Sequence, residues 1–191
     1  MLLNSEYLKN LFFAQGLAYN DYLATGTDDQ RQRWEAVYNA AHITAEQKKL
    51  LEGFVRQMNV LVVSGIWCGD CVEQCPLLER IAQTGNKINL RFIDRDSDSK
   101  LSENLIINTG KRVPVAVFMA EDFALCSWYG DRSLTRYRRL VQRQLGPACS
   151  TGLFVPDEQE LALTLTDWLN EFERIQIMLR LSTRLRQKHQ D

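Results

Sequence analysis

The chain has 191 residues, of which 45% are hydrophobic and 25% are charged, and these are ordinary values for a globular domain. A chain of this length can bury a hydrophobic core without help from disulfides or metal ions. Its 23 basic and 24 acidic side chains give a formal net charge of -1, which provides no electrostatic reason to expect a nucleic-acid or membrane-surface partner.

The cysteines and the chain start together indicate a cellular location. The N-terminal segment lacks the positive charges and the long apolar run of a signal peptide. No stretch approaches the roughly 18 apolar residues that span a bilayer. We therefore expect a cytoplasmic protein. Because glutathione keeps cytosolic thiols reduced, the five cysteines indicate catalysis or metal binding more than structural disulfides.

Helical patterns occupy the first part of the chain. Ser5 is the expected cap of a first helix. Thr27 with Gln30, and Thr44 with Gln47, match the capping box, in which a hydroxyl and an amide three residues apart satisfy free backbone N–H groups. Apolar residues at helical spacing follow each box, so two further helices are predicted.

The pattern changes to alternating strands and helices after these segments. Residues 60–63 form a continuous apolar run bounded by Ser64 and Gly65, as expected of a buried central strand. A helix over 72–83 follows. The later predicted elements are strands over 89–93, 113–119 and 123–129, and helices over 101–107, 134–145 and 157–179.

This element order predicts an α/β sandwich with a mixed central sheet, because a β-α-β unit precedes a hairpin and a closing helix. We divide the chain into a helical N-terminal extension (1–57), an α/β core (58–146), and a loop with a long C-terminal helix packed on that core (147–191). The three parts are expected to form one structural domain. The basic segment 180–188 is expected to be a solvated, frayed helix end.

The cysteine motif Trp67-Cys68-Gly69-Asp70-Cys71 directly follows the predicted buried strand and opens the next helix. A CxxC at a helix start places the first sulfur over unpaired backbone N–H groups, where the helix dipole stabilises a thiolate. The second sulfur lies three residues later, close enough to resolve a mixed disulfide. The motif therefore predicts thiol–disulfide chemistry.

The region from about 60 to 145 resembles the thioredoxin family. Its WCGDC motif differs by one residue from the family's WCGPC, and Pro76 matches the proline that kinks the following helix. Val113-Pro114 matches the family's cis-proline, and Gly130 matches the glycine before its last helix. The resemblance implies a thioredoxin-like α/β/α sandwich and a thiol–disulfide oxidoreductase, and the departure at Asp70 described below favours action as a reductant.

The same resemblance implies a role for each motif residue. Cys68 would be the attacking thiolate, and Cys71 the buried resolving thiol. Trp67 would shield the site, and Pro114 would shape the substrate groove. The residues expected to shape the site are Trp67, Gly69, Asp70, Val113 and Pro114. The implied partners are a disulfide-containing protein or small thiol and a reductase or small-thiol electron donor, with no cofactor.

Two positions depart from the family pattern. Asp70 replaces the motif proline, and a negative charge beside the sulfurs is expected to raise the Cys68 pKa and make the site more reducing. Val62 stands where the family has a buried acid that accepts a proton. Proton transfer at Cys71 must then use water or another group, or be slow.

The remaining cysteines leave alternatives open. Cys75 is either a small buried hydrophobe or a third redox or metal-ligating thiol, because CxxCxxxCP also ends a ferredoxin cluster motif. A fourth ligand would be Cys126, Cys149 or a residue of another subunit. Otherwise Cys126 is expected in the core, and Cys149 as an exposed thiol. The alternative functions are a non-catalytic binding module and a metal or iron–sulfur binder using Cys68, Cys71 and Cys75.

Overall fold

A computed structural model describes residues 3–145 and 159–191 of the protein, without the side chain of Leu145. These residues include four strands: β1 (Met58–Ser64), β2 (Ile88–Asp94), β3 (Val115–Ala120) and β4 (Leu125–Gly130). They form one sheet in the order β2-β1-β3-β4. β1 pairs with β2 in parallel and with β3 antiparallel, and β3 pairs with β4 antiparallel. The predicted mixed α/β sheet is confirmed.

Helices flank this sheet, and further helices precede the first strand and follow the last one. Those of the described residues are α1 (Ser5–Ala14), α2 (Tyr19–Leu23), α3 (Asp28–Ala40), α4 (Ala45–Glu52), α5 (Gly69–Thr84), α6 (Ser99–Asn104), α7 (Leu134–Leu145), α8 (Glu160–Leu181) and α9 (Thr183–His189). None of them combines the length and apolar character that a bilayer-spanning helix requires.

The central strand β1 is buried at every residue, because it has a strand on each side and helices over the sheet. Its register places Val62 opposite Phe92 of β2 and Ala116 of β3. The continuous apolar run in the sequence reflects this double-sided burial. The strand is longer than predicted, since it also includes Met58, Asn59 and Ser64.

The N-terminal helices begin where their capping residues place them, with one correction. Both capping boxes form, with reciprocal hydrogen bonds around Thr27 and Thr44. The first helix, however, is capped by Asn4 and not by Ser5. The Asn4 side chain accepts a hydrogen bond from the Tyr7 N–H at 2.8 Å, and its extended backbone lets the amide oxygen reach that donor.

Three other predicted boundaries are shifted by local chemistry. α5 begins at Gly69 because Cys68 is its N-cap. β3 begins at Val115, since Pro114 has no N–H to donate to the ladder. β4 begins at Leu125, because Phe123 has a positive φ of 62° in the turn before it.

The N-terminal extension packs closely on the core. The Leu17 and Phe92 backbones exchange two hydrogen bonds of 2.8 Å, which attach this segment to β2. The rings of Phe12 and Phe123 meet edge to face at 5.4 Å. Trp34 of α3 is completely buried. The division at residue 57 stays a prediction.

The buried residues of the C-terminal helix α8 belong to the same core cluster as the sheet, and its described start is Glu160. The predicted start at Asp157 and the predicted thiol Cys149 lie outside the described residues. The prediction of a frayed basic end is wrong. Residues 183–189 form the separate helix α9, where Arg184, Lys188 and His189 make ion pairs with the acidic turn Glu121-Asp122.

Candidate active site

The two motif cysteines lie at the junction of β1 and α5. Cys68 has an extended backbone as the N-cap residue, its N–H donates to the Gly65 carbonyl at 2.9 Å, and its carbonyl accepts from Val72 N–H at 3.0 Å. A Cβ on Gly65 would lie 2.9 Å from the Trp67 ring, so glycine lets this ring pack closely against the connection. The half-buried Cys68 and the fully buried Cys71 are thereby fixed one helical turn apart.

The strand start opposite Cys68 supplies one wall of the site. The Cys68 thiol points toward the Val113 carbonyl, with a sulfur–oxygen distance of 3.9 Å. The Val113–Pro114 peptide bond is cis, as the resemblance implied. A Cβ on Gly130 would lie 2.3 Å from the Pro114 carbonyl oxygen, so the close approach of β4 to this wall also requires glycine.

Trp67 and Arg95 form the exposed edge of the site. Trp67 is 54% exposed, and the Arg95 guanidinium lies over its ring at 5.0 Å. Arg95 also pairs with Asp96 at 3.1 Å, and its positive charge interacts favourably with Cys68. The sequence analysis missed Arg95. Its position one residue after β2 could have placed it at the same end of the sheet as the motif.

Cys71 and Cys75 lie beneath the site on the inner face of α5. The Gly65 N–H donates to the Cys71 sulfur at 3.4 Å, and the Cys75 sulfur is 3.5 Å from the Ser64 hydroxyl oxygen. The cysteines of the described residues are free thiols. Within residues 3–145 and 159–191, no three His, Cys, Asp or Glu side chains are grouped to hold a metal ion. The half-buried Cys126 packs against the core from β4.

Both motif thiols have pKa values above the usual range of a cysteine. The hydrogen bond with Cys71, together with partial burial, raises the pKa of the Cys68 thiol, while the backbone N–H groups of Asp70 and Cys71 oppose this increase. Burial also raises the pKa of Cys71 well above its usual range. The reduced pair is therefore held mainly as two thiols at neutral pH.

Asp70 makes ion pairs that the sequence analysis did not predict. Its carboxylate pairs with Arg132, with an Nη2–Oδ2 distance of 2.6 Å, and with Arg136 at 3.4 Å. Two guanidinium groups compensate this charge, and the largest influences that raise the Cys68 pKa are the contact with Cys71 and burial. The effect of the Asp70 charge on Cys68 stays a prediction. The ion pairs connect the start of α5 to the segment that begins α7.

Gln74 is a second connection that the sequence analysis missed. The fully buried amide donates to the carbonyls of Asp70 and Asp131 at 3.2 and 3.1 Å. Its oxygen accepts from Ser133 N–H at 3.0 Å and from the Trp168 indole at 3.2 Å. Its place three residues after Cys71, on the same helical face, could have indicated a buried polar group.

Comparison with protein families gives one match. The model of a family described as Thioredoxin matches residues 16–142, about two thirds of the chain. Among curated protein sequences, none matches this chain.

Three solved structures are similar to this chain at low sequence identity. A protein of unknown function from Pseudomonas aeruginosa is 16% identical, with a TM-score of 0.65 over 86% of this chain and 96% of that one. An HIV epitope-scaffold is 15% identical, with a TM-score of 0.60 over 83% of this chain and 96% of that one. Thioredoxin f2 from Chlamydomonas reinhardtii is 17% identical over 52% of this chain and 89% of that one, with a TM-score of 0.35.

Proposed function

The chain belongs to the thioredoxin family, and from this premise we propose that it is a thiol–disulfide oxidoreductase that reduces disulfides of a protein or small-thiol substrate. The observation that carries the proposal is the placement of a half-exposed Cys68 at the N-cap of α5, with a buried Cys71 one turn away and the cis Pro114 opposite. A cytoplasmic location, where thiols are kept reduced, belongs to the same proposal.

The reaction proceeds through two successive thiol–disulfide exchange steps. The Cys68 thiolate attacks a substrate disulfide, which forms a mixed disulfide and releases one substrate thiolate that takes up a proton. Cys71 then attacks the Cys68 sulfur, releases the second substrate thiol, and leaves a Cys68–Cys71 disulfide. The substrate has gained two electrons. A reductase or small-thiol donor returns two electrons to the pair, so the cycle needs no cofactor.

The direction of exchange follows from the thiol environment. A site that strongly stabilises its attacking thiolate also stabilises its reduced form and acts as an oxidant. The hydrogen bond with Cys71 and partial burial instead raise the pKa of Cys68. We therefore expect the pair to give up electrons readily and to act as a reductant.

The groove beside Cys68 is the proposed substrate site. Val113 and Pro114 would receive the substrate backbone, and the exposed Trp67 ring would contact its side chains. Gly69 and Asp70 shape the same helix start, Asp70 through its ion pairs with the α7 segment.

The reduction potential of the Cys68–Cys71 pair tests this function. The protein is equilibrated in dithiothreitol or glutathione buffers, and alkylated cysteines are mapped by mass spectrometry. We expect a reversible Cys68–Cys71 disulfide with a potential near the reducing end of the family range, about -270 mV. Cys68→Ser should abolish it, and Cys75→Ser should retain it. Failure of the pair to form would overturn the proposal.

A binding module is the second candidate, favoured by the raised pKa of both thiols, which slows exchange at neutral pH. Catalysed insulin reduction separates the two functions. An oxidoreductase accelerates the reaction with dithiothreitol and loses this acceleration in Cys68→Ser. A binding module would give the same rate with and without Cys68.

A further inference from the structure

The step in which Cys71 resolves the mixed disulfide requires a thiolate at a buried position, and this inference rests on the proposed function. Cys71 is completely buried, and its burial disfavours the charged form. Val62, also completely buried, stands where the family resemblance places an acid. Another group must therefore stabilise the Cys71 thiolate.

Ser64 lies on the same face of β1 as Val62, the position where the family has its buried acid. Alternate residues of a strand share a face, so Ser64 points to the same side as Val62, two residues closer to the motif. It has no exposed surface, and its hydroxyl oxygen is 3.5 Å from the Cys75 sulfur. The next residue, Gly65, already donates its N–H to the Cys71 sulfur at 3.4 Å. Burial raises the pKa of Cys71 most, and the Cys75 thiol raises it further, whereas the Cys68 thiol and the Ser64 hydroxyl lower it. In the mixed disulfide Cys68 has no thiol proton left to donate, so of these two groups only Ser64 can still act.

The neighbours of Ser64 leave its own proton available. A serine hydroxyl has one donor and can accept two hydrogen bonds. Either group can be the donor in the Ser64–Cys75 contact, so the Ser64 proton can point to Cys71 when the Cys75 thiol donates.

We propose that the Ser64 hydroxyl and the Gly65 N–H form a two-donor site that stabilises the Cys71 thiolate as the mixed disulfide is resolved. In this step the S–H bond of Cys71 breaks, a Cys71–Cys68 bond forms, and the bond between Cys68 and the substrate sulfur breaks. The proton from Cys71 passes to the departing substrate sulfur. Ser64 keeps its own proton throughout and is the group that replaces the absent acid.

Resolution of a defined mixed disulfide tests the proposal. Reduced protein is mixed with one equivalent of the aryl disulfide DTNB, quenched in acid at set times, and mapped by mass spectrometry. This separates formation of the Cys68 adduct from closure of the Cys68–Cys71 disulfide. Because a hydrogen bond to a charged group is strong, Ser64→Ala should slow closure at pH 7 about tenfold or more and leave adduct formation unchanged.

Matched variants distinguish stabilisation from packing. Cys75→Ala alters the same buried cluster but leaves both donors, so closure should stay within about twofold of the unmodified protein. Ser64→Thr retains the hydroxyl and should restore most of the rate. The pH midpoint of closure, and the titration of ¹³C-labelled Cys71 followed by NMR, should both move upward in Ser64→Ala.

Three results would overturn the proposal. The first is that Ser64→Ala forms the Cys68–Cys71 disulfide at an unchanged rate with an unchanged Cys71 titration. The second is that Cys75→Ala slows closure as much as Ser64→Ala does. If the unmodified protein forms the Cys68 adduct but never closes it, the proposed oxidoreductase function fails, and the role of Ser64 fails with it. Normal closure in the unmodified protein combined with normal closure in Ser64→Ala rejects only the role of Ser64.

Discussion

Cys68 is subject to opposing influences at the start of α5. Its hydrogen bond with Cys71 and its partial burial raise its pKa, and two backbone N–H groups of the helix start lower it. A CxxC motif by itself indicates only the lowering of the Cys68 pKa by these N–H groups, because the helix start is local in sequence. The opposing increase depends on how deeply the fold buries the pair.

The first prediction concerns the pH dependence of Cys68 alkylation. Only the thiolate reacts, and below the pKa its fraction rises tenfold for each pH unit. A raised pKa therefore predicts that the iodoacetamide rate at Cys68 increases about tenfold per unit from pH 7 to pH 9 without levelling off. The rate is measured by mass mapping, with Cys68→Ser as the blank. A plateau below pH 7 would show an acidic thiol instead.

The second prediction concerns Arg95, whose charge favours the Cys68 thiolate. Arg95→Gln should slow Cys68 alkylation at pH 7 about two- to fivefold at low salt, a modest change because the guanidinium is near solvent. Arg95→Lys keeps the charge and should retain most of the rate. Equal losses in both variants would assign the effect to the contact with the Trp67 ring, not to charge.

At the scale of elements, α5 is fixed by polar contacts at its N-terminal half. Gln74 satisfies two carbonyls, one backbone N–H and the indole of Trp168. Asp70 adds ion pairs to Arg132 and Arg136. These contacts join the cysteine helix to the segment before α7, to α7 and to α8, so they hold the motif in place.

The third prediction follows from the burial of Gln74. Gln74→Leu keeps the side-chain volume but leaves buried donors and acceptors unsatisfied, which should lower the free energy of unfolding by about 3 kcal/mol. Urea denaturation measures the loss. The control is Gln83→Leu on the same helix, where the amide bonds to Glu79 near solvent and the loss should stay below about 1 kcal/mol. Similar losses in both variants would contradict this account.

Local patterns predicted several elements because the responsible residues are neighbours in sequence. Both capping boxes and the continuous apolar run of β1 are of this kind. The asparagine cap of α1 and the first residues of β3 and β4 were missed, since each depends on a backbone angle or a missing N–H at one residue. These errors move a boundary and leave the element intact.

At the scale of the whole molecule, α8 closes the core over the sheet and the cysteine helix. The Trp168 ring meets Tyr129 of β4 edge to face at 5.0 Å, and Phe172 meets Phe118 of β3 at 5.2 Å. Trp168 also donates to Gln74. The C-terminal part therefore contributes to the same core as the motif region.

The fourth prediction tests that shared core. Trp168→Ala should lower the free energy of unfolding by about 3–5 kcal/mol, because it removes a large, completely buried ring. The single cooperative transition should persist in urea. Leu163→Ala, on the same helix but 46% exposed, should cost less than about 1 kcal/mol. Two separate transitions in the unmodified protein would show instead that α8 unfolds independently.

The sequence by itself determined the fold class, the central strand, and the position of Cys68 and Cys71 between a strand and a helix, because each depends on short-range periodicity and spacing. The tertiary structure decided which groups surround the sulfurs. Arg132 lies 62 residues from Asp70, and Trp168 lies 94 residues from Gln74. Charges and buried polar groups act through space, so their effects on the site became defined only when the fold brought these distant residues into contact.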